Sequence, residues 1–217
     1  MMKPFEFVRQ LSAVRFENTF NPYADQCAVH DLQDAAQKRA AGLTAILDAA
    51  CKVEIDSLWI GRDLGYRGGR RTGLALTDDV HVTAHAHRWN VPLTRHTGGS
   101  PVSERTASVI WGVLDQITVP VFLWNVFPLH PHEPGNPFTN RLHNVRERRA
   151  GEEILSQLVG LLRPKRIIAL GNDADKAARR FAEITRVVKA RHPSYGGQTE
   201  FVRQIGESYG VVERRLW

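Results

Sequence analysis

Short apolar runs alternate with helical patterns along most of this chain, and that alternation constrains its fold more than any other feature. Four runs are typical of buried strands: residues 55–60, 119–124, 166–170 and 186–190. Helical patterns precede, separate and follow these runs. Strands that alternate with helices form a parallel sheet covered on both faces. The sequence therefore predicts an α/β fold, a three-layer α/β/α sandwich with a central, mostly parallel four-stranded sheet.

The helical patterns and the length of the chain indicate a single domain. Its 217 residues fit one large domain, and neither an internal repeat nor a linker interrupts them. We expect residues 1–54 to form an N-terminal helical part and residues 55–200 to form the core that carries the motifs. Helices are predicted at residues 24–50, 103–117, 152–162, 171–184 and 198–209.

Composition excludes several classes of protein. No stretch approaches the roughly 20 apolar residues of a membrane helix, and the first residues lack a signal-peptide pattern. Cys27 and Cys51 cannot supply a disulfide framework, a four-thiolate zinc site or an iron–sulfur cluster. We therefore expect a cytoplasmic monomer (nucleoid-associated in a bacterium) that contacts no membrane and needs no metal or cofactor.

The positive charge of the chain is concentrated in a few segments. Lys and Arg number 29 against 23 Asp and Glu, a formal net charge of +6. Clusters occur around Arg67, Arg70 and Arg71 and within residues 141–149 and 186–191. Loops at one end of a sheet can combine such clusters into a face that binds phosphate groups. Solubility alone is an equally open interpretation of the charge.

Three of the loops that follow the predicted strands carry unusual residues. Residues 61–73 are rich in Gly and Arg and include Asp63, Asn125 directly follows the second strand, and His192-Pro193-Ser194 follows the last. Ligands of open α/β folds bind beyond the carboxyl ends of the strands, where these loops meet. The Asn125 carboxamide can pair with the edge of a pyrimidine base, and His192 can donate to a developing anion. Taken singly, each segment also fits a surface loop or a turn.

A histidine cluster suggests a different chemistry. His81, His85 and His87 stand close together in the sequence, and two of them would share one face of a helix. A metal-dependent hydrolase built on these residues is therefore an alternative. However, no His-Glu-x-x-His motif is present.

Taken together, the loops resemble the uracil-DNA glycosylase superfamily. That family has a Gly-x-Asp-Pro loop leading into Gly-Leu-Ala-Phe, an Asn after an apolar strand, and a His-Pro-Ser loop. In this chain Gly61-Arg62-Asp63 leads into Gly73-Leu74-Ala75-Leu76, Phe122-Leu123-Trp124 precedes Asn125, and His192-Pro193-Ser194 matches directly. Residues 170–174 also resemble the strand-to-helix turn of the family, so that the likeness extends from about residue 55 to residue 197.

The resemblance implies a DNA repair enzyme that flips uracil, or a related deaminated base, out of DNA and hydrolyses its N-glycosidic bond. An abasic site would remain. By this likeness Asn125 recognises the base, His192 stabilises charge on uracil O2, and Asp63 stabilises the cationic sugar and orients the attacking water. Ser194 and the glycine-rich loop would bind the phosphates of the DNA, with Arg67, Arg70 and Arg71 adding positive charge. The DNA could be single- or double-stranded.

This chain departs from the family pattern at several positions. Leu64 replaces the loop proline, and Leu76 replaces a Phe that stacks on the base. Gly65 stands where the family's uracil-specific enzymes have a Tyr that blocks the thymine methyl group, although Tyr66 could fill that gap. For the wedge that enters the DNA stack, the candidates are Tyr195 and Gln198. Because Gly65 and Leu76 loosen the pocket, a non-catalytic module that binds damaged or abasic DNA is the alternative function.

Overall fold

A computed structural model describes residues 2–211 of the chain. The helices are α1 (Pro4–Ala13), α2 (Ala35–Ala50), α3 (Gly69–Thr72), α4 (Val82–Trp89), α5 (Arg105–Leu114), α6 (Val145–Leu162), α7 (Asn172–Ala178) and α8 (Gln198–Tyr209). A 3-10 turn, Arg179–Phe181, extends α7. The strands are β1 (Thr19–Phe20), β2 (Ser57–Asp63), β3 (Val121–Phe127), β4 (His130–Pro131), β5 (Arg166–Leu170) and β6 (Arg186–Ala190).

The predicted four-stranded parallel sheet is confirmed. Its strand order is β3-β2-β5-β6, and every neighbouring pair is parallel. β1 and β4 form a separate, antiparallel pair. Because all four strands of the main sheet run the same way, their carboxyl ends lie along one edge, and each strand delivers the loop that follows it to that edge.

Helices cover both faces of the sheet, and the side chains of each strand alternate between them. In β2, Leu58 and Ile60 pack into a core with α1, α2 and α6, whereas Trp59 packs into a second core with α5 and α8. Helix α6 lies very close to β3, since a Cβ on Gly151 would stand 2.2 Å from the Val126 carbonyl oxygen. The sandwich is therefore held by two apolar layers, one on each side of the strands.

Several predicted boundaries were wrong. Helix α2 begins at Ala35, not at residue 24, because Asp25 and Asp31 accept hydrogen bonds from the backbone N–H groups of Asn21 and Cys27 and fold the preceding segment into turns. Helix α7 ends early, at Ala178.

Other helices also start or end at different residues from those predicted. Helix α6 begins at Val145, seven residues earlier than predicted, since the Asn144 side chain caps it and Glu147 completes a capping box. Helix α5 is shorter than predicted at both ends, Arg105–Leu114. The short helices α1, α3 and α4 and the pairing of β1 with β4 had no predicted counterpart. None of the helices in the described part is long and apolar enough to cross a membrane.

Candidate active site

A cleft of about 360 Å³ lies at the carboxyl edge of the sheet. All four strands contribute to its walls: Asp63 ends β2, Asn125 belongs to β3, Gly171 follows β5 and His192 follows β6. The three residues predicted from separate motifs therefore share one cavity. Since the outer strands of the sheet supply Asn125 and His192, the cavity spans the full width of the sheet edge.

Asn125 is buried at the base of this cleft, with 1% of its surface exposed. It lies inside β3, opposite Gly61 of β2, and not in the loop after the strand as predicted. Its Nδ2 donates to the Asp63 backbone oxygen over 3.1 Å, whereas its Oδ1 is buried and accepts from no described residue. Gly61 permits this position, because a Cβ there would stand 2.8 Å from Asn125 Nδ2. The carboxamide therefore keeps an acceptor free beside the cleft.

His192 is held as a neutral imidazole of defined tautomer. The Ser194 backbone N–H donates to Nδ1 over 3.2 Å, and Ser194 Oγ lies 2.7 Å from the same nitrogen. A backbone N–H can only donate, so Nδ1 is an acceptor and the ring proton is on Nε2. Burial, with the charges of Arg62 and Arg191, lowers the pKa of His192 to about 4. A neutral donor, Nε2–H, is therefore available near pH 7.

The Asp63 carboxylate is held by two donors. Oδ2 accepts from Arg62 Nε over 2.7 Å, and Oδ1 forms a very short contact with His143 Nδ1. Arg62 also reaches Asp173, 3.6 Å away. Sequence reasoning missed His143, which lies at the end of the long loop after β3 without a recognisable motif. The two donors restrict the carboxylate to one orientation at the cleft wall.

Comparison with known protein families identifies the family of this chain. The family model "Uracil DNA glycosylase superfamily" matches residues 56–204, which span all four strands and the three motif loops. The chain belongs to this superfamily.

The solved structures that are similar to this chain include the following two. SMUG2 from Pedobacter heparinus matches at 14% sequence identity with a TM-score of 0.63, over 97% of this chain and 98% of that one, which supports the fold. A mutant of UNG from Nitratifractor salsuginis matches at 14% identity with a TM-score of 0.39, over 98% and 99% of the two chains. Among curated proteins, none matches significantly.

Two of the three arginines expected to bind DNA are internal, so that part of the prediction was wrong. Arg70 lies 3.7 Å from the centre of the Phe20 ring and donates to His130 Nδ1 over 3.2 Å. Arg71 forms an ion pair with Asp79 over 2.8 Å. Each is only 5% exposed, because these contacts fasten the glycine-rich loop to the body of the protein. Arg67 is exposed, as expected for a residue that meets DNA.

The residues expected around the base divide into two groups. Gly65 and Leu76 line the cleft, and Leu76 has a left-handed backbone (φ 55°), which is unusual for a branched residue. Tyr66 does not line the cleft, so it does not fill the gap beside Gly65. Its ring lies near Arg67, and its backbone N–H donates to Asn140 Oδ1. The base-contacting role expected for Tyr66 was therefore wrong.

The His-Pro-Ser loop places one aromatic ring at the mouth of the cleft. Tyr195 is 98% exposed, lines the cleft and has a left-handed backbone (φ 51°). Gln198 lies in the first turn of α8 and does not line the cleft. The Ser194 hydroxyl faces His192 Nδ1, which is unprotonated, so the hydroxyl proton is directed to the imidazole and not to a phosphate. Ser194 therefore orients His192 in this structure, and the phosphate-binding role expected for it stays a prediction.

The histidine cluster does not form a metal site. His81 bonds Asp78 over 2.6 Å, whereas His85 lies 3.1 Å from Thr77 Oγ1 and packs on Trp111. Within residues 2–211, no group of three His, Cys, Asp or Glu side chains is placed to hold a metal ion. The cluster therefore gives no support to a metal-dependent hydrolase.

Proposed function

We propose that this protein is a monofunctional DNA glycosylase that hydrolyses the N-glycosidic bond of uracil in DNA. The observation that carries this proposal is the unpaired, buried Oδ1 of Asn125 in one cleft with Asp63 and His192. A buried polar atom without a partner is costly, by about 1–3 kcal/mol, and a ligand that supplies a donor removes this cost.

The Asn125 carboxamide selects uracil by complementary hydrogen bonds. Its Oδ1 accepts from uracil N3–H, and the second hydrogen of Nδ2 donates to O4, since the first is used on the Asp63 backbone. Cytosine carries an acceptor at N3 and a donor at position 4, so both bonds would be reversed. A site that buries polar groups rejects such a base strongly because those groups stay unpaired.

His192 and Asp63 act on the bond that breaks. As the bond between C1′ and uracil N1 cleaves, its electron pair leaves with the base, and charge develops on uracil O2. The Nε2–H of neutral His192 donates to that oxygen. The Asp63 carboxylate faces the cationic sugar and orients water, whose oxygen forms the new bond to C1′. The proton that the water gives up balances the charge of the released uracil anion, which becomes neutral uracil. Arg62 and His143 hold the carboxylate in position for both roles.

DNA would reach this cleft across a cationic surface. Arg67, Arg146 and Arg191 are exposed, and a smaller cleft beside the first is lined by Arg148 and Lys176. In this proposal the exposed Tyr195 ring enters the space that a flipped nucleotide leaves, and its exposure at the mouth of the cleft supports that role. None of the described residues that line the larger cleft is a lysine. This supports attack by water at C1′. It does not support attack by a lysine amine, which would also lead to cleavage of the DNA strand.

The test is strand cleavage at uracil. Single-stranded and duplex oligonucleotides with one uracil are incubated with the protein and then treated with alkali, which cuts at abasic sites. We expect cleavage by the wild type and rates lower by about 100-fold or more for Asp63→Asn and His192→Ala. Asp48→Asn and His87→Ala, on exposed positions, are the matched controls.

Two outcomes would contradict the proposal. Uncut strands with both substrates would remove the glycosylase function, and tight binding without base release would instead identify a non-catalytic DNA-binding module. If both variants keep the wild-type rate while folded, the roles assigned to Asp63 and His192 are wrong.

A further inference from the structure

The long loop, residues 132–144, brings His143 to the Asp63 carboxylate, although its own backbone holds it weakly. Within this described stretch there is neither a helix nor a strand of a sheet, and residues 133–137 are all exposed. A segment with so few buried contacts does not keep one conformation by itself. Contacts from other segments must therefore fix the position of His143.

His130, a buried histidine in β4, makes such contacts. Its side chain is fully buried, and both ring nitrogens have partners. Arg70 Nη1 lies 3.2 Å from Nδ1, and because arginine can only donate, Nδ1 accepts and the ring proton is on Nε2. Nε2–H donates to the Thr139 backbone oxygen over 2.8 Å and lies 3.2 Å from Asn140 Oδ1. Burial, with the charge of Arg70, lowers the pKa of His130 to about 3, so the ring is neutral near pH 7.

The partners of His130 also join the long loop to the glycine-rich loop. Arg70 belongs to the glycine-rich loop, and its guanidinium lies 3.7 Å from the centre of the Phe20 ring. The same guanidinium lies 5.3 Å from the centre of the Phe138 ring, which belongs to the long loop. Asn140 Oδ1 accepts from the Tyr66 backbone N–H over 3.0 Å. The two loops are therefore connected at Arg70 and at Tyr66, and the His130 ring contacts both connections.

We propose that His130 is a positioning residue that joins these two loops and thereby sets the position of His143 against the Asp63 carboxylate. The inference rests on the proposed function, in which Asp63 orients the attacking water. Asp63 lies near the start of the glycine-rich loop and His143 near the end of the long loop, so the connection limits how far the two side chains can separate. A displacement of about 1 Å at such a contact can cost about 100-fold in rate. His130 does not line the cleft, so its effect on the reaction passes through His143.

The experiment is a double-mutant cycle between His130 and His143. His130→Phe keeps a ring and removes both hydrogen bonds, whereas His130→Gln keeps an acceptor and a donor. Single-turnover release of uracil is measured for each variant with and without His143→Ala. We expect H130F to slow release by about 3- to 10-fold, and H130Q by less. When His143→Ala is present, H130F should slow release further by less than about 1.5-fold, because its effect passes through the side chain already removed.

Hydrogen exchange measured by mass spectrometry gives a second result that does not require activity. Peptides from the long loop and around Tyr66 should exchange at least about 3-fold faster in H130F, because the contacts that hold them are lost. His85→Gln is the matched control, since His85 is also buried but does not line the cleft. It should leave uracil release and the exchange of both loops at the wild-type values.

The outcomes separate failure of this inference from failure of the proposed function. If the wild type releases no uracil, the proposed function fails and the catalytic role of His130 fails with it. If uracil is released but H130F is as fast as the wild type, only the role of His130 is overturned. Equal slowing by H130F with and without His143→Ala would also overturn it, because the effect would then not pass through His143.

A further variant covers the case in which H130F does not fold. H130F leaves the buried Arg70 guanidinium without its acceptor, a loss of about 1–3 kcal/mol in stability. Arg70→Met combined with His130→Phe replaces both polar partners together, so neither is left unpaired, and this pair of changes is then used in the cycle. If the combined variant does not fold by circular dichroism, the pair stabilises the whole fold, and the specific role in positioning His143 is overturned.

Discussion

Replacement of Asn125 by leucine should separate stability of the fold from recognition of the base. The change removes the hydrogen bond from Nδ2 to the Asp63 backbone oxygen, 3.1 Å long, which contributes about 1 kcal/mol. It also removes the buried Oδ1 that has no described partner, which destabilises the native state by about 1–3 kcal/mol. The two terms predict a free energy of unfolding that is unchanged or higher by up to about 2 kcal/mol.

For a protein of this size, 1 kcal/mol corresponds to about 2–4 °C in Tm. We therefore expect Asn125→Leu to unfold at the wild-type temperature or up to about 8 °C higher. Release of uracil should fall by at least about 100-fold, because leucine can neither accept from N3–H nor donate to O4. The assays are thermal unfolding by circular dichroism and single-turnover base release from a uracil oligonucleotide.

Asn136→Leu, on an exposed loop, is the matched control and should leave Tm and the rate of uracil release close to the wild type. A loss of more than about 1 kcal/mol in Asn125→Leu would show that Oδ1 is not an unsatisfied group in the folded protein. A rate near that of the wild type would show that Asn125 does not recognise the base. Either result refutes the reasoning by which the free acceptor identifies a base-binding site.

Three further predictions test other parts of the site and the fold. His143→Ala removes one donor from the Asp63 carboxylate and should slow uracil release by about 10-fold without changing the dissociation constant for uncleaved DNA; an unchanged rate would contradict its positioning role. Tyr195→Ala should slow release from duplex DNA by about 5- to 150-fold, and release from single strands less, since a lost stacking contact is worth about 1–3 kcal/mol. Gln198→Ala should have the smaller effect, and equal effects of both variants on both substrates would exclude Tyr195 as the wedge. Burial lowers the pKa of His85 to about 3, so the folded state excludes a proton that the unfolded chain takes up below about 6.5. Stability is then lost as the pH falls from about 6.5 towards 3. In urea unfolding, the contribution of His85 should lower the free energy of unfolding of the wild type by about 2 kcal/mol between pH 7 and pH 5, and His85→Gln should largely abolish this loss.

The candidate site was predictable in so far as its residues lie at or near the carboxyl ends of buried strands. Asp63, Asn125 and His192 each stand at the end of an apolar run, and parallel strands bring their carboxyl ends together. Their convergence in one cleft follows from that rule and needs no knowledge of side-chain contacts. The orientation of His192 by Ser194 is also local, because the two residues are two positions apart.

The residues that were assigned wrongly or missed depend on contacts between distant parts of the chain. Arg70 and Arg71 belong to a segment whose composition is typical of a solvent-exposed loop. In the folded protein, contacts with Phe20 and Asp79 bury the two side chains. His143 meets Asp63 across 80 positions of sequence. Pairings of this kind leave no periodic pattern in the sequence, so sequence reasoning cannot predict them.

The alternation of apolar runs and amphipathic helices therefore determined the α/β class, the parallel sheet and the edge at which the site lies, because burial of apolar surface imposes a period on the sequence. Tertiary structure alone decided which charges face solvent and which donors hold Asp63. These features arise from close packing and hydrogen bonding between segments far apart in the chain, and such contacts are specified only when the whole fold has formed.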